Sequence, residues 1–388
     1  MSPESSISQG TWDVVCCSLE PWDEVWRRNQ FFAAHILEVR RDVRVLFVEP
    51  PVDLAWSVLR GRRIPPTGLR PVGGTGRLWA FRPRKLVPRR LSRHVDRRLC
   101  RGVQRMVRRL ELRNPVLWIN DTSYAELPAV TGFPSVYDIT DDWKAAGRGG
   151  REHRRQVTHD FLLLQAADEV VVCSPDLARS RSEERTVHLI TNAVDPGHFR
   201  SPRQRPADLP PGPVVLYSGT LSEDRLDIEL AVELAVALSG RAAVVFVGPD
   251  ACTAESTARL HQSGSLLLGA RPYREMPAYL QHADVLIVPH VVNPFTESLD
   301  PIKAREFLAV GRPVVSTPVA GFRDLTHPVE IAERHDFVVA VMDALTRPVP
   351  EGLGPLDTDL PTWTERGDQF IEVLELARAT AGLGRSRA

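Results

Sequence analysis

The chain has 388 residues, 43% hydrophobic and 25% charged, the make-up of a soluble globular protein long enough for two domains. Lys plus Arg (49) balances Asp plus Glu (49), so no overall field argues for nucleic acid as a partner. The five cysteines form no CxxC pair and no zinc-like Cys/His spacing, which argues against a metal motif or disulfide framework and for a reducing, cytoplasmic compartment. Residues 1–10, MSPESSISQG, have neither the basic start nor the apolar stretch of a signal peptide. No run approaches the ~18 apolar residues of a membrane span.

In chain order, strands are expected at 12–19 (WDVVCCSL), 43–49 (VRVLFVE), 116–120 (VLWIN), 135–139 (SVYDI), 169–173 (EVVVC) and 187–191 (VHLIT). They are rich in β-branched residues and do not alternate, as parallel strands covered on both faces require. Helical stretches at 25–39 and 160–167 lie between them, which is βαβ grammar. The pattern breaks at 199–213, FRSPRQRPADLPPGP, whose prolines suit a linker. It restarts with strands at 214–218, 242–247, 265–268, 284–289 and 313–316, and with helices at 226–238, 275–282 and 302–310 between them. A proline-bearing stretch at 347–361 precedes a last helix from Trp363. The expected fold is α/β, two Rossmann-like domains with parallel sheets facing a central cleft. The expected division is 1–195, 196–360, and a C-terminal helix at 361–388 packing back on the first domain.

The densest motif is PHVVNPFTESLDPIKAREFLAVGRPVVS at 289–316. Asp300-Pro301 opens a helix whose free N–H groups and positive dipole end suit a phosphate. Lys303 adds a charge for a diphosphate, and Glu306, on the same helix face, would accept ribose hydroxyls. Gly311 reads as the C-cap. This segment resembles the donor-binding region of GT-B glycosyltransferases, in which a P-x-K-x-x-E-x-L-A-x-G-x-P-V-V run is typical. YSGTLSEDRLD at 217–227 is similar to the Gly-containing loop that opens their second domain, and LLGARPYREMPAYLQHADVLIVP at 267–289 to their base-binding loop. The resemblance implies a donor site of Gly219, Thr220, Arg225, Arg271, Tyr273, Lys303 and Glu306. It implies no tightly bound cofactor and no metal, but a nucleotide-diphosphate sugar as co-substrate, UDP-sugar first, dTDP- or GDP-sugar next. The sequence departs from the E-x7-E pattern of retaining members: eight positions before Glu306 stands Ser298, with Glu297 and Asp300 nearby. Asn192-Ala193-Val194-Asp195 stands where N-G-V-D is common.

In an open parallel sheet, ligands bind beyond the carboxyl ends of the strands. The first strand runs into EPWDEVWRRN, where Trp22, Asp23, Trp26 and Asn29 offer aromatic faces and polar groups to an acceptor; the competing reading is that Trp22 and Trp26 only pack a helix face. Asp141 and Asp142 follow the 135–139 strand and offer a general base, Asp142 first, the alternative being a helix N-cap. The loop resembles the place where xanthan-type glucuronosyltransferases of bacterial polysaccharide synthesis carry an Asp base.

From 84 to 113 the chain carries Arg84, Arg89, Arg90, Arg93, Arg97, Arg98, Arg101, Arg105, Arg108 and Arg109 against only Asp96 and Glu111. Leu91, Val95, Leu99, Val103, Met106 and Leu110 recur at helical spacing, giving a basic amphipathic helix that fits an anionic membrane at its inner face or, more blandly, a solvated surface. The sequence thus implies sugar transfer from a nucleotide-sugar to a carbohydrate, lipid-linked or small natural-product acceptor, at a hydroxyl or amine. Rival functions are a nucleotide-sugar 2-epimerase of the same fold and a non-catalytic nucleotide-sugar-binding scaffold subunit. No G-x-G-x-x-G follows a first strand, which argues against a dehydrogenase.

Overall fold

The computed structural model describes residues 11–54, 64–86, 89, 92, 94–142, 150–347 and 360–385. The chain forms two compact units. The first is Met1–Asp23, Arg27–Thr191 and Thr364–Ala388; the second is Glu24–Trp26 and Asn192–Trp363.

The strands of the first unit are β1 (Val14–Cys17), β2 (Val45–Val48), β3 (Val52–Asp53), β4 (Gly68–Pro71), β5 (Leu78–Arg82), β6 (Arg84–Lys85), β7 (Val116–Ile119), β8 (Ser135–Ile139), β9 (Glu169–Val172) and β10 (His188–Leu189). Eight of them build one sheet in the order β10-β9-β8-β7-β1-β2-β5-β4, while β3 and β6 form a separate two-stranded ribbon. Every pairing in the large sheet is parallel except β4 with β5. Its central strands VVCC, VLFV and VLWI are buried throughout, because helices on both faces exclude water. Phe370, on the Trp363–Arg385 helix, packs its ring 4.7 Å from Trp118 and 4.8 Å from Phe32. Beside that contact, buried Arg28 makes a two-pronged ion pair with buried Asp138 at 3.2 Å, and the Trp118 indole N–H donates to the same carboxylate.

The helix expected from residue 25 starts at Arg28. Residues 24–26 belong to the second unit instead: the Glu24 carbonyl accepts from the Tyr273 N–H at 2.7 Å, and the Trp26 ring stacks on Tyr273 at 6.0 Å. A backbone so engaged cannot also close a helical turn. The basic helix spans Val95–Arg109, burying Val95, Leu99, Cys100, Val103 and Val107 and turning six arginines to solvent: Arg97, Arg98, Arg101, Arg105, Arg108 and Arg109. Positions 87, 88, 90, 91 and 93 of the arginine-rich segment lie outside the described residues.

Among the described residues the second unit has six strands, β11 (Val214–Ser218), β12 (Ala243–Val247), β13 (Leu266–Gly269), β14 (Val285–Val288), β15 (Val314–Ser316) and β16 (Val329–Ile331). All are parallel, in the order β13-β12-β11-β14-β15-β16. The order reverses at β11, so the loops leaving β11 and β14 diverge and open a crevice at the carboxyl ends. One apolar cluster under this sheet joins Leu216, Leu286, Ala304, Phe307 and Val310, which fixes the Ile302–Val310 helix against the strands.

Candidate functional site

At the carboxyl ends of β11, β12 and β13 three glycine-bearing turns lie side by side. The Gly219 N–H donates to the Val247 carbonyl at 2.9 Å, and the Gly248 N–H to the Gly269 carbonyl at 3.0 Å. Gly219 has φ 138° and Gly248 φ 154°. A Cβ on Gly248 would sit 1.9 Å from the Gly219 carbonyl oxygen, so this approach of two backbones admits only glycine. A Cβ on Gly219 would meet the Lys303 ammonium nitrogen at 2.7 Å, which locates the lysine head directly against that turn.

Lys303 rises from the first turn of the Ile302–Val310 helix, whose N-cap is Pro301 in extended geometry and whose C-cap is Gly311 at φ 68°. Ala304, Phe307, Leu308, Ala309 and Val310 are buried, leaving Lys303 and Glu306 half-buried on one face at i, i+3. The Lys303 ammonium stands 4.2 Å from the centre of the Tyr217 ring and 3.5 Å from His290 Nε2. The Tyr217 hydroxyl donates to the Thr220 carbonyl at 3.2 Å and lies 3.2 Å from the same His290 nitrogen. Arg225 flanks this group; its carbonyl accepts from the Val291 N–H at 2.8 Å, and its guanidinium lies over the Phe295 ring.

Charge is crowded here and poorly hydrated. Burial, with the Arg225 charge adding to it and Glu306 opposing, brings Lys303 down to about 7. Burial pushes Glu306 up to about 7 against the pull of Lys303. His290 is held well below the ordinary histidine range by burial and then by the Lys303 and Arg225 charges, so its imidazole is neutral. Among the described residues neither Lys303 nor Glu306 forms a salt bridge. Two half-buried groups of opposite sign, without ion-pair partners and set beside a glycine-lined backbone and a helix N-terminus, form a receptor for a ligand with both a phosphate and hydroxyls.

The other expected donor residues are placed differently. The Arg271 side chain is a brace: it donates to the Tyr279 hydroxyl at 2.8 Å, to the Leu268 carbonyl at 2.5 Å and to Asp208 at 2.6 Å. The Tyr273 ring is stacked near-parallel to His198 at 4.4 Å as well as to Trp26, so protein rings already occupy it. The acids near the E-x7-E position are engaged: Asp300 pairs with Arg305 and accepts from the Asn192 N–H, each at 2.6 Å, and Glu297 pairs with Arg323. Ser298 is buried and donates to the Phe295 carbonyl. Sequence reasoning missed Tyr217, Gly248 and His290. The signals for them were faint: a tyrosine and a glycine at strand ends, and a histidine just after the DVLIVP strand.

In the first unit, Asp142 pairs with the fully buried Arg181 at 3.4 Å, and Arg181 also meets Asp160 at 2.9 Å. Asp141 accepts from the Thr140 hydroxyl at 3.3 Å. Asn29 is buried, its amide donating to Ser18 at 2.9 Å and to Asn120 at 2.8 Å. The Trp22 ring stands edge-on to Phe47 and its backbone N–H donates to Glu49, while Asp23 pairs with Arg27. Trp26 belongs to the second unit rather than with these three. Among the described residues no three His, Cys, Asp or Glu side chains converge on a metal-sized site, and no helix is long and apolar enough to cross a membrane.

The architecture is that of the GT-B proteins. Sucrose-phosphate synthase from Thermosynechococcus elongatus superposes with a TM-score of 0.64 at 16% identity, over 97% of this chain and 98% of that one. HepE of Anabaena, solved in complex with UDP, gives 0.56 at 13% identity over 97% of this chain and 99% of its own. Residues 212–347, within the second unit, match the family model described as Glycosyl transferases group 1. A curated relative is TuaH of Bacillus subtilis (strain 168), named for a role as a glycosyltransferase of teichuronic acid biosynthesis. It is 27% identical over 248 residues, which take in 58% of this chain and 62% of the relative. The match thus spans less than two thirds of the relative's length.

Proposed function

We propose that the protein transfers a sugar from a nucleotide-diphosphate donor, UDP-sugar first, to a hydroxyl or amine of a carbohydrate, lipid-linked or small natural-product acceptor. The observation that carries this reading is the pair Lys303 and Glu306, on one helix face with the lysine head against the Gly219 turn and neither in an ion pair among the described residues. As the anomeric bond breaks, charge grows on the departing diphosphate; Lys303, Arg225 and the helix N-terminus meet it with positive charge, so the chain supplies this stabilisation without a metal. Glu306 accepts the ribose hydroxyls, and Gly219 and Thr220 give backbone groups to the phosphates. Arg271 acts through its backbone and through the loop it braces, and Tyr273 through its backbone beside the base. HepE, bound to UDP in its structure, favours a uridine donor.

Asp142 is the proposed base toward the acceptor, with Asp141 the alternative and Arg181 holding Asp142 in one orientation. Trp22, Asp23, Trp26 and Asn29 are the proposed acceptor contacts, Asn29 through the buried network it shares with Ser18 and Asn120. The six exposed arginines of the Val95–Arg109 helix favour an acceptor presented on an anionic membrane, at its cytoplasmic face. The test is calorimetric titration of UDP, dTDP, GDP and ADP into wild type and Lys303→Ala. Selective binding of one diphosphate, lost in the variant, is expected; binding that ignores Lys303 refutes the donor site. Retention by phosphatidylserine vesicles at low salt, absent with neutral vesicles, checks the membrane reading.

A further inference from the structure

Lysine is a point charge on a flexible four-carbon stem, and it aims only when something holds it. The usual holder is a carboxylate, which would cancel the charge that a departing diphosphate needs. This site holds the ammonium differently. On one side is the face of the Tyr217 ring, at 4.2 Å, whose quadrupole attracts a cation without neutralising it. On another is the Nε2 of a neutral imidazole, 3.5 Å away, which accepts a hydrogen bond and carries no charge.

Both holders are themselves fixed. Tyr217 and His290 are both buried, at 1% and 5% exposure. The tyrosine hydroxyl is tied to the Thr220 carbonyl. The His290 backbone is clamped at both its polar groups by Thr317: the Thr317 hydroxyl donates to the His290 carbonyl at 2.8 Å and accepts from the His290 N–H at 3.2 Å.

We propose that Tyr217 and His290 are positioning residues for the donor: together they hold the Lys303 ammonium against the Gly219 turn, where it meets the diphosphate uncancelled. The charged and titratable groups facing the lysine are then Tyr217, His290, Arg225 and Glu306, of which only Glu306 opposes its charge. This inference rests on the donor-site reading above.

The test is the affinity of UDP for wild type, His290→Leu, His290→Gln, Lys303→Ala and the His290→Leu/Lys303→Ala double variant, with thermal melts to confirm folding. His290→Leu is expected to weaken UDP about tenfold, the scale of one hydrogen bond to a charged group. His290→Gln, which restores an acceptor, recovers most of that loss. The double variant binds no worse than Lys303→Ala, because the histidine acts through the lysine. Unchanged affinity in His290→Leu, or a full further loss in the double variant, overturns the proposal. If His290→Leu does not fold, Tyr217→Leu decides: it removes the ring face that holds the ammonium, and unchanged UDP affinity there overturns the proposal. If Lys303→Ala itself binds UDP like wild type, the donor-site reading fails instead.

Discussion

Lys303 titrates near 7 before a donor arrives, because burial and Arg225 disfavour its charge. A diphosphate favours the charged form, so binding draws a proton onto the lysine, and affinity falls as pH rises above the free-state value. With a midpoint of about 7, about one lysine in eleven is charged at pH 8 and about one in a hundred at pH 9, so UDP should weaken about tenfold per unit, or ~1.4 kcal/mol. Glu306, raised to about 7, changes the other way: its ionised form, the better acceptor for ribose hydroxyls, grows as pH rises. Above pH 8 that change is nearly complete, so the window from pH 8 to 9 isolates the lysine. The assay is calorimetry of UDP at several pH values, repeated in buffers of different ionisation enthalpy to count the protons taken up. Wild type should take up nearly one proton at pH 8.5, whereas Lys303→Arg, whose guanidinium stays charged, should bind with a flat profile. A flat wild-type profile between pH 8 and 9, or the same slope in Lys303→Arg, would refute the reasoning.

Gly248→Ala places a Cβ 1.9 Å from the Gly219 carbonyl oxygen, and neither backbone can retreat cheaply, so UDP affinity should drop more than about tenfold with a lower melting temperature. Arg28→Ala leaves the buried Asp138 charge without its guanidinium and should cost about 3–5 kcal/mol in urea unfolding, whereas joint replacement by Met and Leu at 28 and 138 should recover most of it. Asp142→Asn should cut turnover by about a hundredfold or more while UDP affinity stays within about twofold; near-normal turnover would remove it as the base.

The parallel-sheet grammar was legible because strands covered on both faces are apolar at most positions. Hence Ser135–Ile139 and Val214–Ser218 fall where the sequence places them, and so does the Ile302–Val310 helix with its apolar face. β4 and β5 were not legible: Gly68–Pro71 is partly exposed and carries the residues that usually break strands, and its antiparallel pairing is set by β5 rather than by local preference. Lys303 and Glu306 were legible because one helix presents both. What joins them to Tyr217, Gly219 and His290 was not, since those residues leave two different strands and meet only when β11 and β14 pair. The same holds for Trp26, whose sequence neighbours suggested one acceptor surface and whose ring lies on Tyr273. Sequence by itself determined the periodicities, the strand composition and the charge carried by one helix, which are local properties of the chain. The tertiary structure decided which groups share a desolvated site, because burial and through-space charge depend on residues far apart in sequence.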